Sequence, residues 1–343
     1  MKLIKLIILS IVCVSIANAQ QTPAEVQSKT VAIVGGTAHL GNGSVIQNSL
    51  IIFENEILQT VSEYNKSEDL SKMEVIDAKN QHIYPGFIVA NSTLGLIEID
   101  AVRATDDDEE LGNWNPHIRS LIAYNAESRV VESMRPNGVL IAQITPRGGR
   151  ISGTSSIVQL DAWNWSDALI KENDGIHLNF PSTMKRTGWW AEPGTSEANK
   201  EYTKKIDEIT LFFDNSKAYA ATNSSERNLV FEAMKGIFDG TQTLFVHANE
   251  EKQIIDAVQM AKKFGIKKMV IVGGYDAYKT TDLLKENGIG VLLRNVHDMP
   301  NSADEDIDLP FKMARILVNK GILVGLENSG DKERMQTRNL PFL

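Results

Sequence analysis

His247 ends the apolar run Leu244-Phe245-Val246 and stands just before Ala248-Asn249-Glu250, where a helix begins. An imidazole there can act as a general base or bind a metal, or it can cap the strand end through a hydrogen bond. His297-Asp298 places a second imidazole beside a carboxylate, after Val291 to Leu293 and ahead of the acidic loop Asp304 to Asp308. That pair reads as a general base or as a polar loop. Glu327, after the run Ile322 to Leu326, is a further acid or base, or points inward to meet an arginine. Pro146-Arg147-Gly148-Gly149-Arg150-Ile151-Ser152-Gly153-Thr154 combines glycines, whose backbone amides can approach a ligand closely, with two guanidinium groups that suit a carboxylate. A tight loop with solvated arginines is the other reading. The catalytic candidates are thus His247, His297 and Glu327. Asn91, Thr93, Arg147, Arg150 and Asn328 are the substrate-binding ones. Trp163-Asn164-Trp165 and Trp189-Trp190 either line a pocket or pack as core or lid.

These residues need elements to hold them. Between residues 30 and 76, short apolar runs (Thr30 to Val34, Ser44 to Phe53, Ile57 to Val61, Val75-Ile76) alternate with turn signals such as Gly41-Asn42-Gly43, predicting a small antiparallel sheet. After Tyr84-Pro85-Gly86, continuous apolar runs alternate with amphipathic stretches. The runs are Phe87 to Ala90, Val139 to Ile144, Ile176 to Phe180, Leu244 to His247, Met269 to Val272, Val291 to Leu293 and Ile322 to Leu326. Helices are expected over Glu197 to Glu208, Asn228 to Phe238, Glu250 to Phe264, Ala277 to Asn287 and Phe311 to Asn319. This is the pattern of a parallel sheet covered by helices, and a barrel is its natural closure. The fold class is α/β: a TIM-like (β/α)8 barrel over residues 85–343 with a small N-terminal β-sandwich subdomain over residues 20–84. No helix is expected after the eighth strand, so either the chain is a fragment or its closing layer is absent. Function in such a barrel sits on the loops after the strands.

Residues 1–19 read as a secretory signal: Lys2 and Lys5, the apolar stretch Leu6 to Ile16, then Ala17-Asn18-Ala19. The apolar stretch is about 11 residues, short of the roughly 20 a bilayer requires, so no membrane anchor is expected. The destination is periplasmic or secreted. Cys13, the single cysteine, lies inside this signal, which leaves the mature chain without disulfides, thiolate ligands or a cysteine nucleophile. Loss of two lysines leaves 33 basic residues against 44 acidic ones. That balance argues against nucleic-acid partners and favours a small-molecule ligand; nothing fixes the oligomeric state. Asp106 to Glu110 reads as a solvated loop, with a calcium site as the alternative.

Val31-Ala32-Ile33-Val34-Gly35-Gly36-Thr37, Asn42-Gly43, Tyr84-Pro85-Gly86-Phe87-Ile88 and Leu244-Phe245-Val246-His247-Ala248 appear in an order that resembles the amidohydrolase superfamily, in its imidazolonepropionase-like branch of secreted bacterial proteins. The resemblance implies a metal-dependent barrel hydrolysing C–N bonds in a small amide or cyclic amide, with zinc or another divalent ion. It also implies that most ligand positions are substituted. Asn91 and Thr93 stand where the family's first strand ends in histidines, Gly273-Gly274 where the sixth does, and Asn328 where the eighth carries an aspartate. His247 alone matches a metal-ligand position. Amide and hydroxyl oxygens are poor zinc ligands. The alternative function is therefore a catalytically inactive relative that binds a small anionic molecule at the barrel mouth.

Overall fold

Val31, Ile33 and their neighbours alternate between buried and half-buried, as a strand with one covered face must. The computed structural model describes residues 22–99, 101–189, 191–222, 226–294 and 296–327. The signal region, Asn328 and the chain end fall outside these residues. The described chain divides into two compact units, with the division after Phe87.

The first unit holds seven strands: β1 (Val31–Val34), β2 (Thr37–His39), β3 (Val45–Ile46), β4 (Ser49–Glu54), β5 (Ile57–Glu63), β6 (Glu74–Asp77) and β7 (His82–Ile83). They form a four-stranded sheet in the order β5-β4-β1-β6 and a three-stranded sheet in the order β3-β2-β7. Asn55 and Glu56, both with positive φ, turn β4 into β5 as a two-residue hairpin requires. Ala32, Val34 and Leu50 make the small core. The expected purely antiparallel sheet is corrected here, because β6 and β7 return by longer connections and pair parallel to β1 and β2.

The second unit is a closed barrel of eight strands. They are β8 (Phe87–Ser92), β9 (Val139–Ile144), β10 (Ile151–Gln159), β11 (Leu169–Asn179), β14 (Thr243–Ala248), β15 (Met269–Gly273), β16 (Gly290–Arg294) and β17 (Val324–Glu327). A hairpin, β12 (Met184–Trp189) with β13 (Glu192–Ala198), interrupts the series. Glu327 pairs with Ala90 and closes the ring. From β11 through β17 and on to β8 the barrel neighbours run parallel. β10, however, is antiparallel to both β9 and β11, so the barrel is mixed. The connection from β9 to β10 is only six residues long, too short for the crossover a parallel pair needs.

Leu244 and Val246 on β14 face Ile254, Ala257 and Val258 of the helix Glu251–Phe264 in the main core. Period-two alternation then turns Phe245 and His247 toward the barrel interior. Gln253 accepts hydrogen bonds from the Asn249 and Glu250 amides, and Gly265 ends the helix in a left-handed cap. The helix thus starts at Glu251, four residues after His247. Other helices depart from expectation. The 228–238 stretch breaks into Leu229–Ala233 and Lys235–Asp239, and Ala277–Asn287 becomes a 3-10 turn (Tyr275–Thr280) followed by Thr281–Glu286. The helix expected over 197–208 begins at Tyr202 and runs to Ala221, because Glu192–Ala198 pairs as a strand. No helix among the described residues is long and apolar enough to cross a membrane.

Gly175 is the point where β11 enters the barrel. A Cβ there would lie 2.4 Å from both the Phe245 ring and the Thr243 carbonyl oxygen, with no flexible atom to yield. We expect Gly175→Ala to cost about 3 kcal/mol, read as a lowered urea midpoint at unchanged slope.

Candidate functional site

Asn91 lies near the end of β8 with φ +52°, a left-handed conformation that asparagine tolerates better than most residues. The side chain is buried, and the backbone N–H and carbonyl and the side-chain oxygen and nitrogen each have a partner. Its amide N–H donates to Gln143 Oε1 (3.0 Å), and its Nδ2 donates to Glu327 Oε2 (3.3 Å). Arg147 grips the same residue twice: Nη1 donates to Asn91 Oδ1 (3.1 Å) and Nη2 to the Asn91 carbonyl oxygen (2.8 Å). Nη1 also donates to the Thr145 carbonyl oxygen (3.2 Å). Asn91 therefore links a guanidinium cation to a carboxylate that is only 2 % exposed. Gln143 carries the network on, donating from Nε2 to Asp174 Oδ2 (2.8 Å), whose Oδ1 receives the Lys171 ammonium (2.7 Å).

Beside this network lie two imidazoles. His177 Nδ1 and His247 Nε2 are 3.1 Å apart, and the His177 ring stacks on Phe245 with centroids 4.7 Å apart. Burial holds His177 well below the usual imidazole range, with His247 and the Arg147 charge adding to it. His247, partly buried, is pushed down to about 3 by desolvation and then by Arg147 and Arg294. Both rings are thus neutral at ordinary pH. His177 Nε2 is buried without a hydrogen-bond partner. An unpaired lone pair costs less than an unpaired N–H, so we assign the proton to His177 Nδ1, donating to His247.

The divalent metal implied by the resemblance does not fit this donor set. A catalytic zinc takes three protein ligands. Among the described residues, no group of three or more His, Cys, Asp or Glu side chains converges on one point. The same holds for the acidic run 106–110, so the calcium alternative has no support there. At Gly273 the backbone is left-handed (φ +93°), and a Cβ would meet Asn249 Oδ1 at 2.3 Å.

Of the residues singled out by sequence, Asn91, Arg147, His247 and Glu327 come together. Thr93 is buried two residues after Asn91, its carbonyl accepting from the Leu96 amide. Arg150 turns to the Asn179 carbonyl oxygen (2.5 Å) on β11. His297 does not join: it is exposed and its ring lies 5.4 Å from that of Phe311. Asn328 is outside the described residues. Several backbone amides of the glycine loop are occupied. The Arg147 amide donates to the Asp108 carbonyl, and the Arg150 and Ile151 amides to that of Asn113. These amides hold a neighbouring loop rather than facing a ligand. Trp163, Trp165 and Trp189 are exposed.

His177, Gln143 and Asp174 were not singled out. The signal for His177 was present in Ile176-His177-Leu178-Asn179-Phe180, where polar and apolar residues alternate across one strand. A separate cavity of about 690 Å³ opens where β11 and β14 enter the barrel, near Asn173 and Gln242; its Arg119 is paired with Glu172.

Replacing Asn91 removes both halves of the bridge. Asn91→Ala should cost about 3 kcal/mol, from hydrogen bonds to charged partners plus a left-handed backbone. Asn91→Gly relieves the backbone part, and comparing the two urea midpoints separates the contributions.

No family model matches the sequence, and no curated protein matches it. Solved structures do. An amidohydrolase from Thermotoga maritima MSB8 superposes with a TM-score of 0.74 at 20% identity, over 90% of this chain and 80% of that one. A prolidase complexed with n-methylphosphonate-l-proline gives 0.47 at 13% identity, over 89% of this chain and 80% of that one. The ochratoxinase of A. niger gives 0.42 at 12%, over 88% and 76%. The likeness to the Thermotoga protein establishes the fold: an α/β TIM-like barrel of the kind that amidohydrolase has.

Proposed function

We propose that this chain is an exported hydrolase of C–N bonds in a small amide or cyclic amide, acting at the mouth of the barrel. The observation that carries the reading is the buried Glu327 carboxylate, held by Asn91 at the strand end where barrel enzymes keep their chemistry. Glu327 takes a proton from the water that adds to the amide carbon. The C–N bond then breaks, and the same proton passes to the departing nitrogen. Arg147 lends positive charge to a site in which negative charge develops on the carbonyl oxygen. His177 and His247 stay uncharged and line the site. The fold shared with the Thermotoga amidohydrolase supports the same reaction class.

The test is a panel of N-acyl amino acids, lactams, cyclic imides and ureas, with product release followed by mass spectrometry. Turnover of at least one class is expected. Retention of an anionic compound without turnover would replace the hydrolase with a binding protein.

A further inference from the structure

We infer that Arg147 is the resident cation of the barrel mouth, carrying on a protein side chain the positive charge that a divalent metal would otherwise supply there, and that it keeps such a metal out. This goes beyond the hydrolytic reading and stands or falls without it.

The side chain comes from the short β9–β10 connection and reaches across to β8. There its two terminal nitrogens clamp the amide oxygen and the backbone oxygen of Asn91. The left-handed backbone of Asn91 lets both oxygens of one residue serve the guanidinium. The amide nitrogen of Asn91 faces the other way and binds Glu327, so cation and carboxylate are coupled through one side chain. A metal at this place would need those same oxygen donors together with the imidazoles. The imidazoles are engaged with each other at 3.1 Å, and Arg147 is close enough to oppose a further positive charge on either ring. A second, doubly charged cation in this confined space would meet the guanidinium's repulsion at short range, where screening is weak.

The experiment uses the full chain without an affinity tag, dialysed and then titrated with zinc or cobalt(II). Zinc binding is read by calorimetry and cobalt by its visible absorption. Wild type and Arg147→Lys, which keeps the charge, are expected to hold no stoichiometric metal. Arg147→Met and Arg147→Gln, two neutral variants of different polarity, are expected to bind zinc at least about tenfold more tightly. That gain should vanish when His247→Gln is added. Circular dichroism selects whichever neutral variant is folded, and either suffices. One zinc per wild-type chain that is lost in His247→Gln would overturn the inference. So would a folded neutral variant that binds no more tightly than wild type.

Discussion

Glu327→Gln should lower kcat by about a hundred- to ten-thousandfold, which is about 3–5 kcal/mol of barrier, while KM changes little. The substitution is nearly isosteric, and its amide oxygen can still accept from Asn91 Nδ2. What it removes is the capacity to take a proton. Loss confined to kcat therefore identifies Glu327 as the proton acceptor, because removal of an interaction used equally by substrate and transition state would appear in KM. Retained fold is checked by circular dichroism. A folded Glu327→Gln variant with wild-type kcat on a substrate from the panel would remove Glu327 from the mechanism.

The two imidazoles make stability depend on pH in a defined direction. An unfolded histidine takes up its proton near pH 6.5. His177 and His247 resist that proton when folded, so acid favours the unfolded chain. Their contribution is complete above about pH 6.5 and is lost as pH falls below it. Between pH 6.5 and 5 the loss is about 2 kcal/mol for His247, and His177 adds to it in the same direction. Carboxylates also titrate in this range, and a His177→Gln/His247→Gln double variant serves as the reference. Urea unfolding at pH 7 and pH 5 should show the wild type losing at least about 2 kcal/mol more than the double variant. Equal losses would mean that the rings are not held neutral.

The parts of the fold legible in the sequence were those written in apolar residues. Val139–Ile144 or Leu244–His247 can be read as barrel strands because side chains buried against helices must be apolar. β10 escaped that reading. Its start, Ile151-Ser152-Gly153-Thr154-Ser155-Ser156, is almost wholly buried yet mostly polar. The hydroxyls make this possible: Thr154 Oγ1 donates to the Pro116 carbonyl and Ser155 Oγ to that of Gly175. Hydropathy carries no trace of such partners, and the segment looked like the tail of a glycine loop. One missed strand also hid the antiparallel turn that aims Arg147 at Asn91. Arg147 could be singled out by its chemistry but not by its destination. Asn91, His247 and Glu327 were legible because each ends an apolar run. His177 lies inside one; alternation across Ile176 to Phe180 marks it locally, but its approach to His247 depends on the pairing of β11 with β14, two strands far apart in the chain.

Hydrolysis in water enriched in oxygen-18 tests the central claim most directly. If the barrel mouth adds water across a C–N bond, the acid product of a cleaved amide carries one heavy oxygen per turnover, and it appears with wild type but not with Glu327→Gln. Amides recovered intact and unlabelled across the whole panel, from folded wild-type protein, would contradict it.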